Sequence, residues 1–346
     1  MTTDGAVDAL VCPQHGPGAE PEYRFCEVCG ERLRPVHRPA DWLSSRSADA
    51  ACAACGTVRS GGSDYCDHCG RRHCCGSERA ELDLGVLAGV TDRARRQRNE
   101  DAVTLGRTET ASVAVICDGV STSRRSDVAA HAAAETGIAS ILAALRDGVE
   151  PATATGHGLR AAARAAADVA LPDEEQAPPS CTYVSGIVTA GTITVGWIGD
   201  SRAYWVASAS ASASASAWCL TVDDSVVGQL TAGRALPPGV EAAPDSRALL
   251  RWLGADAPET EPQVVSFRVD GSGLLVLCSD GLSQYLADPA ELAEATSAVA
   301  GSPLAVARDL TRLALAAGGS DNITVAVLPS PIPARPVTVT PQGAQW

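Results

Sequence analysis

The 346-residue chain carries a formal net charge of −14, with 45% hydrophobic, 4% aromatic and 20% charged residues. That length fits roughly two domains around cores of Ala, Val, Leu and Ile, while the acidic balance excludes a non-specific nucleic-acid or membrane-surface binder, which needs a basic face. All 27 basic residues are arginine, so P-loop and Schiff-base lysine chemistry are excluded as well, and the usage points to a GC-rich, bacterial genome.

No apolar run approaches the roughly 20 residues of a membrane span, and no basic segment precedes an apolar one at the N-terminus. A cytoplasmic protein without membrane partners is expected. In that reducing compartment the 13 cysteines read as metal ligands and buried thiols, not disulfides.

At the N-terminal end, Cys12 and His15 form a CxxH pair and Cys26 and Cys29 a CxxC pair. The pattern recurs forty residues on at Cys52, Cys55, Cys66 and Cys69. Matching contexts, Phe25-Cys26 to Cys29-Gly30 and Tyr65-Cys66 to Cys69-Gly70, make this a repeat. Each CxxC-Gly builds a tight turn whose amides face the thiolates, and two such turns complete a tetrahedral zinc site. The spacing predicts two structural Zn2+ ions in tandem zinc ribbons, over 1–35 and 51–75, joined by a linker over 36–50. With nine Arg against eleven Asp plus Glu in residues 1–80, these modules lack the surface of a nucleic-acid reader. Docking to a protein partner is the better expectation.

Farther along, apolar runs bounded by Gly, Asp and Pro predict strands over 84–91, 111–117, 182–190, 192–198, 264–269, 274–278 and 323–328. Helices are predicted over 127–146, 158–169, 289–299 and 303–316. Strands placed before, between and after helical pairs suit an α+β sandwich over 82–330 better than alternating βαβ units. The Ala/Ser alternation over 207–217 reads as a flexible hairpin extension, 224–256 as a variable flap, and 331–346 as a Pro-rich flexible tail.

Five acidic signatures fall at the ends of these strands: Asn99-Glu100-Asp101 with Arg96 before it, Asp118-Gly119, Gly199-Asp200-Ser201-Arg202, Ser279-Asp280-Gly281 and Asp321-Asn322. Carboxylates gathered from such distant segments repel one another unless they surround divalent cations. In this order, over about residues 84–328, the motifs resemble the type 2C family of metal-dependent serine/threonine protein phosphatases. The resemblance implies a two-sheet antiparallel β-sandwich flanked by helical pairs, with two Mn2+ or Mg2+ ions at one end. It also implies that Asp118 bridges the ions, that the Gly119 carbonyl, Asp280 and Asp321 complete their ligands, and that Asp200 serves a weaker third ion. Arg96 would bind the phosphate, and Glu100 and Asp101 would hold metal-bound water. The implied partners are phosphoprotein substrates, with a serine/threonine kinase as functional counterpart.

Two departures from the family pattern stand beside Asp118. Val120 occupies a position where some relatives carry a proton-donating histidine, and Ser121-Thr122-Ser123-Arg124-Arg125 replaces a glycine-rich turn. The alternative function is therefore a catalytically weak scaffold that holds phosphoproteins in the same cleft. Cys117 and Cys278, close to Asp118 and Asp280, invite a redox switch, although buried core thiols are the plainer reading.

Overall fold

The computed structural model describes residues 42–45 and 79–331, apart from 173, 175, 209–215, 238, 242, 244–245, 259–260, 270 and 298–300, with the backbone of three short strands before them. The chain divides into Met1–Asp41 and Trp42–Trp346. In the first unit β1 (Leu10–Cys12), β2 (Gly16–Pro17) and β3 (Arg34–Pro35) form an antiparallel sheet in the order β2-β1-β3. The predicted zinc ligands lie outside the described residues: only the backbone of Cys12 is placed, and His15, Cys26, Cys29, Cys52, Cys55, Cys66 and Cys69 are not among them. The predicted tail also lies outside, from residue 332 onward.

The second unit opens with β4 (Trp42–Ser44), β5 (Arg79–Asp83), β6 (Ala88–Asp92), β7 (Ala102–Arg107) and β8 (Ser112–Cys117). Helices α1 (Ser126–Arg146) and α2 (Pro151–Asp168) follow, then β9 (Ser180–Cys181), β10 (Tyr183–Thr189), β11 (Thr192–Ile198), β12 (Arg202–Ala207) and β13 (Ser216–Cys219). The rest is α3 (Val226–Thr231), β14 (Leu253–Gly254), β15 (Gln263–Arg268), β16 (Gly273–Cys278), α4 (Asp280–Ser283), α5 (Pro289–Ser297), α6 (Pro303–Ala317) and β17 (Ile323–Ser330). Two antiparallel six-stranded sheets result, β15-β11-β10-β8-β7-β4 and β13-β12-β16-β17-β6-β5, with β9 and β14 paired apart.

Three apolar layers hold this arrangement. Val113, Val115 and Cys117 face α1 and α2, packing with Ile138, Ile141 and Leu159. The alternate residues Ala114 and Ile116 face the second sheet, meeting the layer of Leu275, Leu277 and Leu328. On the outer side of that sheet, Val276, Val325 and Val327 pack on Leu292, Leu310 and Ala314 of α5 and α6. Because both faces of β8 are covered, its sequence is a continuous apolar run and not an alternation. Each fully buried Val, Ile or Leu contributes about 1.5–3 kcal/mol relative to exposure.

Several expectations need correction. The predicted strand over 84–91 is the second arm of a hairpin: Gly85 turns the chain at φ +77°, its amide donating to Asp83 Oδ1 at 2.7 Å. The second helix begins at Pro151, seven residues before the expected start, because Gly156 and Gly158 do not break it. A Cβ at Gly158 would overlap Ile141, so that glycine allows α1 and α2 to approach closely. The predicted linker over 36–50 contains β4, which pairs with β7 in the register Leu43↔Leu105, while Ser45 Oγ accepts from the Val103 amide at 3.2 Å. Ser44 Oγ donates to Glu135 on α1 at 2.8 Å. Finally, α1 is, by length and composition, apolar enough to cross a membrane, contrary to the reading that no run is; it instead packs Ala130, Ala134, Ile138 and Ile141 into the sandwich.

Candidate active site

The antiparallel registers bring the acidic signatures to one end of the sandwich. Cys117 lies opposite Ala102 and Cys278 opposite Arg202, while Asp92 faces Ile323, so the loops leaving β6, β8, β11 and β16 and those entering β7 and β17 share one rim. Asp118, Gly119, Asp200, Asp280 and Asp321 line a single cleft of about 620 Å³ there. Glu100, Asp101 and Arg96 are not in its lining and stand behind or beside it.

Hydrogen bonds explain how the loops are held. Thr182 Oγ1 accepts the Asp118 amide at 3.1 Å, and the Thr182 amide returns to the Asp118 carbonyl at 2.8 Å. Buried Asn322 joins three segments: its Oδ1 accepts from the Glu100 amide at 2.8 Å, and its Nδ2 donates to the Arg93 and Arg98 carbonyls at 2.9 and 2.8 Å. Both Asp-Gly pairs require glycine through close approach. A Cβ at Gly119 would lie 2.7 Å from the Glu100 carbonyl oxygen, and one at Gly281 would overlap the Asn322 carbonyl. Glu100 itself accepts from Ser126 Oγ at 2.8 Å, which ties it to the first residue of α1.

Asp101 is fully buried, its Oδ2 accepting from Ser279 Oγ at 2.9 Å and Thr324 Oγ1 at 2.6 Å. Its Oδ1 has no partner among the described residues. Burial, helped by Asp321 and Asp280, pushes the Asp101 carboxyl up to about 7. Burial and then Asp280 and Asp223 do the same to Asp200, also to about 7. Asp118 is driven well above the carboxylate range by burial and by Asp101, Asp280, Asp200 and Asp321, and Asp280 is raised by burial and by Asp321.

An acidic cluster so strained, with an orphaned buried oxygen and oxygen donors only, fits hard divalent cations such as Mn2+ or Mg2+. Among the described residues no three of these carboxylates converge into a closed coordination cluster, and the cleft leaves room for the several waters such ions keep. Arg96 lies at the edge. Its NH2 pairs with Asp321 Oδ2 at 2.6 Å, its NH1 donates to Ser121 Oγ at 3.2 Å and its Nε to the Ser320 carbonyl at 3.2 Å. The pair with Asp321 raises the Arg96 pKa against the opposing effect of burial.

Comparison with known proteins matches a family model for protein phosphatase 2C over residues 88–313. The chain belongs to the protein phosphatase 2C family. It is 31% identical over 240 residues to the serine/threonine protein phosphatase PstP of Mycobacterium tuberculosis, covering 67% of this chain and 42% of that protein. It thus spans less than half the length of that curated relative. The crystal structure of the PstP catalytic domain in complex with two manganese ions superposes with a TM-score of 0.53 at 26% identity, over 70% of this chain and 96% of that one. The phosphatase MsPP from Mycobacterium smegmatis, in complex with cacodylate, gives 0.54 at 28% identity, over 70% and 96%.

Within this phosphatase 2C frame, the serine-rich turn has a local explanation. Arg125 adopts the left-handed conformation, φ +52°, where glycine is the ordinary choice. Its NH1 pairs with buried Glu174 Oε2 at 3.1 Å and donates to the Val169 carbonyl at 3.3 Å. Ser123 Oγ accepts from the Ser180 amide at 3.2 Å, and Arg124 N donates to the Ala177 carbonyl at 3.1 Å, so the turn is tied to the loop before β9. Val120 lines the cleft and carries no proton to give. Cys117 and Cys278 are fully buried, and burial raises both thiols, which makes them core residues and not reactive ones.

The cleft also contains residues that sequence reasoning did not single out. Of the residues that hold the loops by hydrogen bonds, Ser279 and Asn322 stand inside the acidic signatures and Thr182 and Thr324 carry no motif signal; only Thr182 among the four lines the cleft. Arg247 and Trp252 reach the rim from the predicted flap.

Proposed function

We propose that the chain is a metal-dependent phosphatase acting on phosphoserine and phosphothreonine in proteins. The reading is carried by the convergence of Asp118, Asp200, Asp280 and Asp321 from four separate loops into one cleft of a phosphatase 2C sandwich. The two-manganese catalytic domain of the mycobacterial relative supports it. Asp118, the Gly119 carbonyl, Asp280 and Asp321 would hold two Mn2+ or Mg2+ ions, and Asp200 a weaker third. Such a pair makes a bound water acidic enough to supply hydroxide near neutral pH and offsets charge on the phosphate. The chain's own residues do the positioning. Arg96 is held at the edge by Ser320, Ser121 and Asp321, and it would turn its planar fork from Asp321 to phosphate oxygens once Asp321 holds a cation. Asp101 and Glu100 are fixed to orient water. Val120 leaves the departing alkoxide to take its proton from solvent.

The test is hydrolysis of p-nitrophenyl phosphate and of a phosphothreonine peptide with Mn2+, with EDTA, and with Asp280→Asn. Both hydrolyses should need Mn2+ and fall at least a hundredfold in the variant. Activity surviving EDTA would sink the metal mechanism. Val120 favours a second reading, a weak catalyst that holds phosphoproteins in this cleft; peptide binding without turnover would select it.

The N-terminal cysteine repeats are proposed as two structural zinc ribbons that dock a protein partner, supported by their spacing and by the three-stranded sheet over residues 10–35. Two zinc ions per chain by elemental analysis would be the expected finding. A serine/threonine kinase is the proposed counterpart and the cytoplasm the proposed location, in keeping with the free thiols at Cys117, Cys181, Cys219 and Cys278.

A further inference from the structure

A second groove, about 780 Å³, opens beside the catalytic cleft, and Trp252 lines both. Its indole is fixed, Nε1 donating to Asp256 Oδ1 at 2.9 Å, so the ring forms a shared wall between the two. One side of the groove is a single face of α2, where Leu159, Arg160, Ala163 and Arg164 follow the three- and four-residue spacing of helical neighbours. Ala257, Pro258 and Pro262 lie across from them over the buried Leu159 and Leu253.

The charge in this groove is unlike that of the chain. Arg160 and Arg164 face one carboxylate, Glu261, among the lining residues, on a chain of net charge −14. Three other arginines near the cleft are neutralised, Arg125 by Glu174, Arg202 by Asp223 and Arg251 by Asp224, whereas Arg247 stands exposed on the cleft itself. Arg160 and Arg164 are exposed and enter no such pair among the described residues. Side chains four apart on a helix stand about 6 Å from each other. An extended chain repeats its same-side residues every ~6.6 Å. An extended peptide can therefore set one side chain opposite each guanidinium while its intervening residues rest on the apolar wall.

We propose that this groove holds the extended chain of a phosphoprotein substrate beside its phosphorylated residue, and that Arg160 and Arg164 select acidic side chains at alternate positions of that chain. The inference rests on the phosphatase reading and names the substrate class for it. It follows from continuity with the catalytic cleft through Trp252 and from the complementarity of two unpaired cations to an acidic segment.

The experiment uses the intact chain with Mn2+ and phosphothreonine peptides that differ only in carrying acidic, glutamine or basic residues at alternate positions, placed on either flank. The wild type and Arg160→Glu/Arg164→Glu are compared, with p-nitrophenyl phosphate as the substrate that does not reach the groove. On one flank the acidic peptide should exceed the glutamine peptide about tenfold in kcat/KM, through KM, in line with two charge pairs at a solvent-exposed site. In the double variant the order should reverse in favour of the basic peptide, with nitrophenyl phosphate turnover within twofold of wild type. Equal kcat/KM for all peptides in the wild type, or an acidic preference that persists in the double variant, would overturn the proposal. Anisotropy titration of the same peptides, fluorescein-labelled, reads the groove even without turnover: tighter binding of the acidic peptide supports it, and equal binding rejects it. Failure to hydrolyse nitrophenyl phosphate strikes instead at the phosphatase reading.

Discussion

The floor of the cleft and its rim are built by different means. On the floor, Asp101, Asn322, Ser279 and Thr324 are buried and bound to one another across strands more than two hundred residues apart in sequence for the outermost pair, Asp101 and Thr324. Gly119 and Gly281 leave no space for a single added carbon. On the rim, Ser121, Thr122, Arg124 and Arg247 are exposed, and the turn is held by one ion pair and a few side-chain-to-backbone bonds. The floor leaves little tolerance for change, whereas the rim has room to exchange residues.

The largest expected effect concerns the charge of the floor. The carboxyls of Asp101 and Asp200 lie near 7, above their ordinary value of 3.8. The folded chain therefore keeps protons that the unfolded chain releases, and the stability from these groups is present below about pH 4 and lost as pH rises through about 7. In EDTA the unfolding free energy from urea titration should fall across that window by an amount on the order of several kcal/mol, and the midpoint with it, one pKa unit being about 1.4 kcal/mol. Saturating Mn2+ should flatten the slope; a metal-free midpoint that climbs with pH would remove the claim that the floor is short of positive charge.

Next in size is Gly281→Ala, which should cost about 3 kcal/mol or more, since the new carbon overlaps the Asn322 carbonyl and the loop must move. Thermal melting within a degree or two of wild type would mean the floor yields as readily as the rim. At the rim, Glu174→Ala should cost only about 1–2 kcal/mol, because Arg125 is over a third exposed and water takes up its charge. Its signature is kinetic: KM for a phosphopeptide should rise several-fold while p-nitrophenyl phosphate turnover stays within twofold. The smallest effect is expected from Val120→His. Stability should hardly change, and kcat for phosphothreonine should rise a few-fold relative to nitrophenyl phosphate, whose leaving group needs no proton. An equal change for both substrates would show that the departing alkoxide is not limiting.

What could be seen in the sequence follows the same division. The aspartates end long apolar runs such as Val113–Cys117 and Leu274–Cys278, so their convergence at one edge was legible from strand patterning and motif order. The clamping behind them was not: Ser279 and Asn322 stand in the motifs and Thr324 outside them, but their hydrogen bonds exist only once strands β16 and β17 lie side by side. Nor does the sequence show that Arg93 joins the clamp: its NH1 donates to the Arg96 carbonyl at 2.6 Å and its own carbonyl accepts from Asn322. Helix α2 was misread at its start because a packing glycine and a helix-breaking glycine are the same letter. Strand β4 gives no signal in the sequence, because three residues cannot show a period.

That short strand changes how the chain can be divided. Because β4 precedes the second cysteine repeat and β5 follows it, residues 46–78 are, in sequence, an excursion between two strands of one sandwich. Anything that draws the ends of this 33-residue excursion together acts on the sandwich as a cross-link does, by reducing the freedom of the unfolded chain. A domain excised at the family match, from residue 88, would leave the backbone edge of β7 bare and ready to pair with another copy. The described sandwich therefore takes one of its edge strands from before the second cysteine repeat.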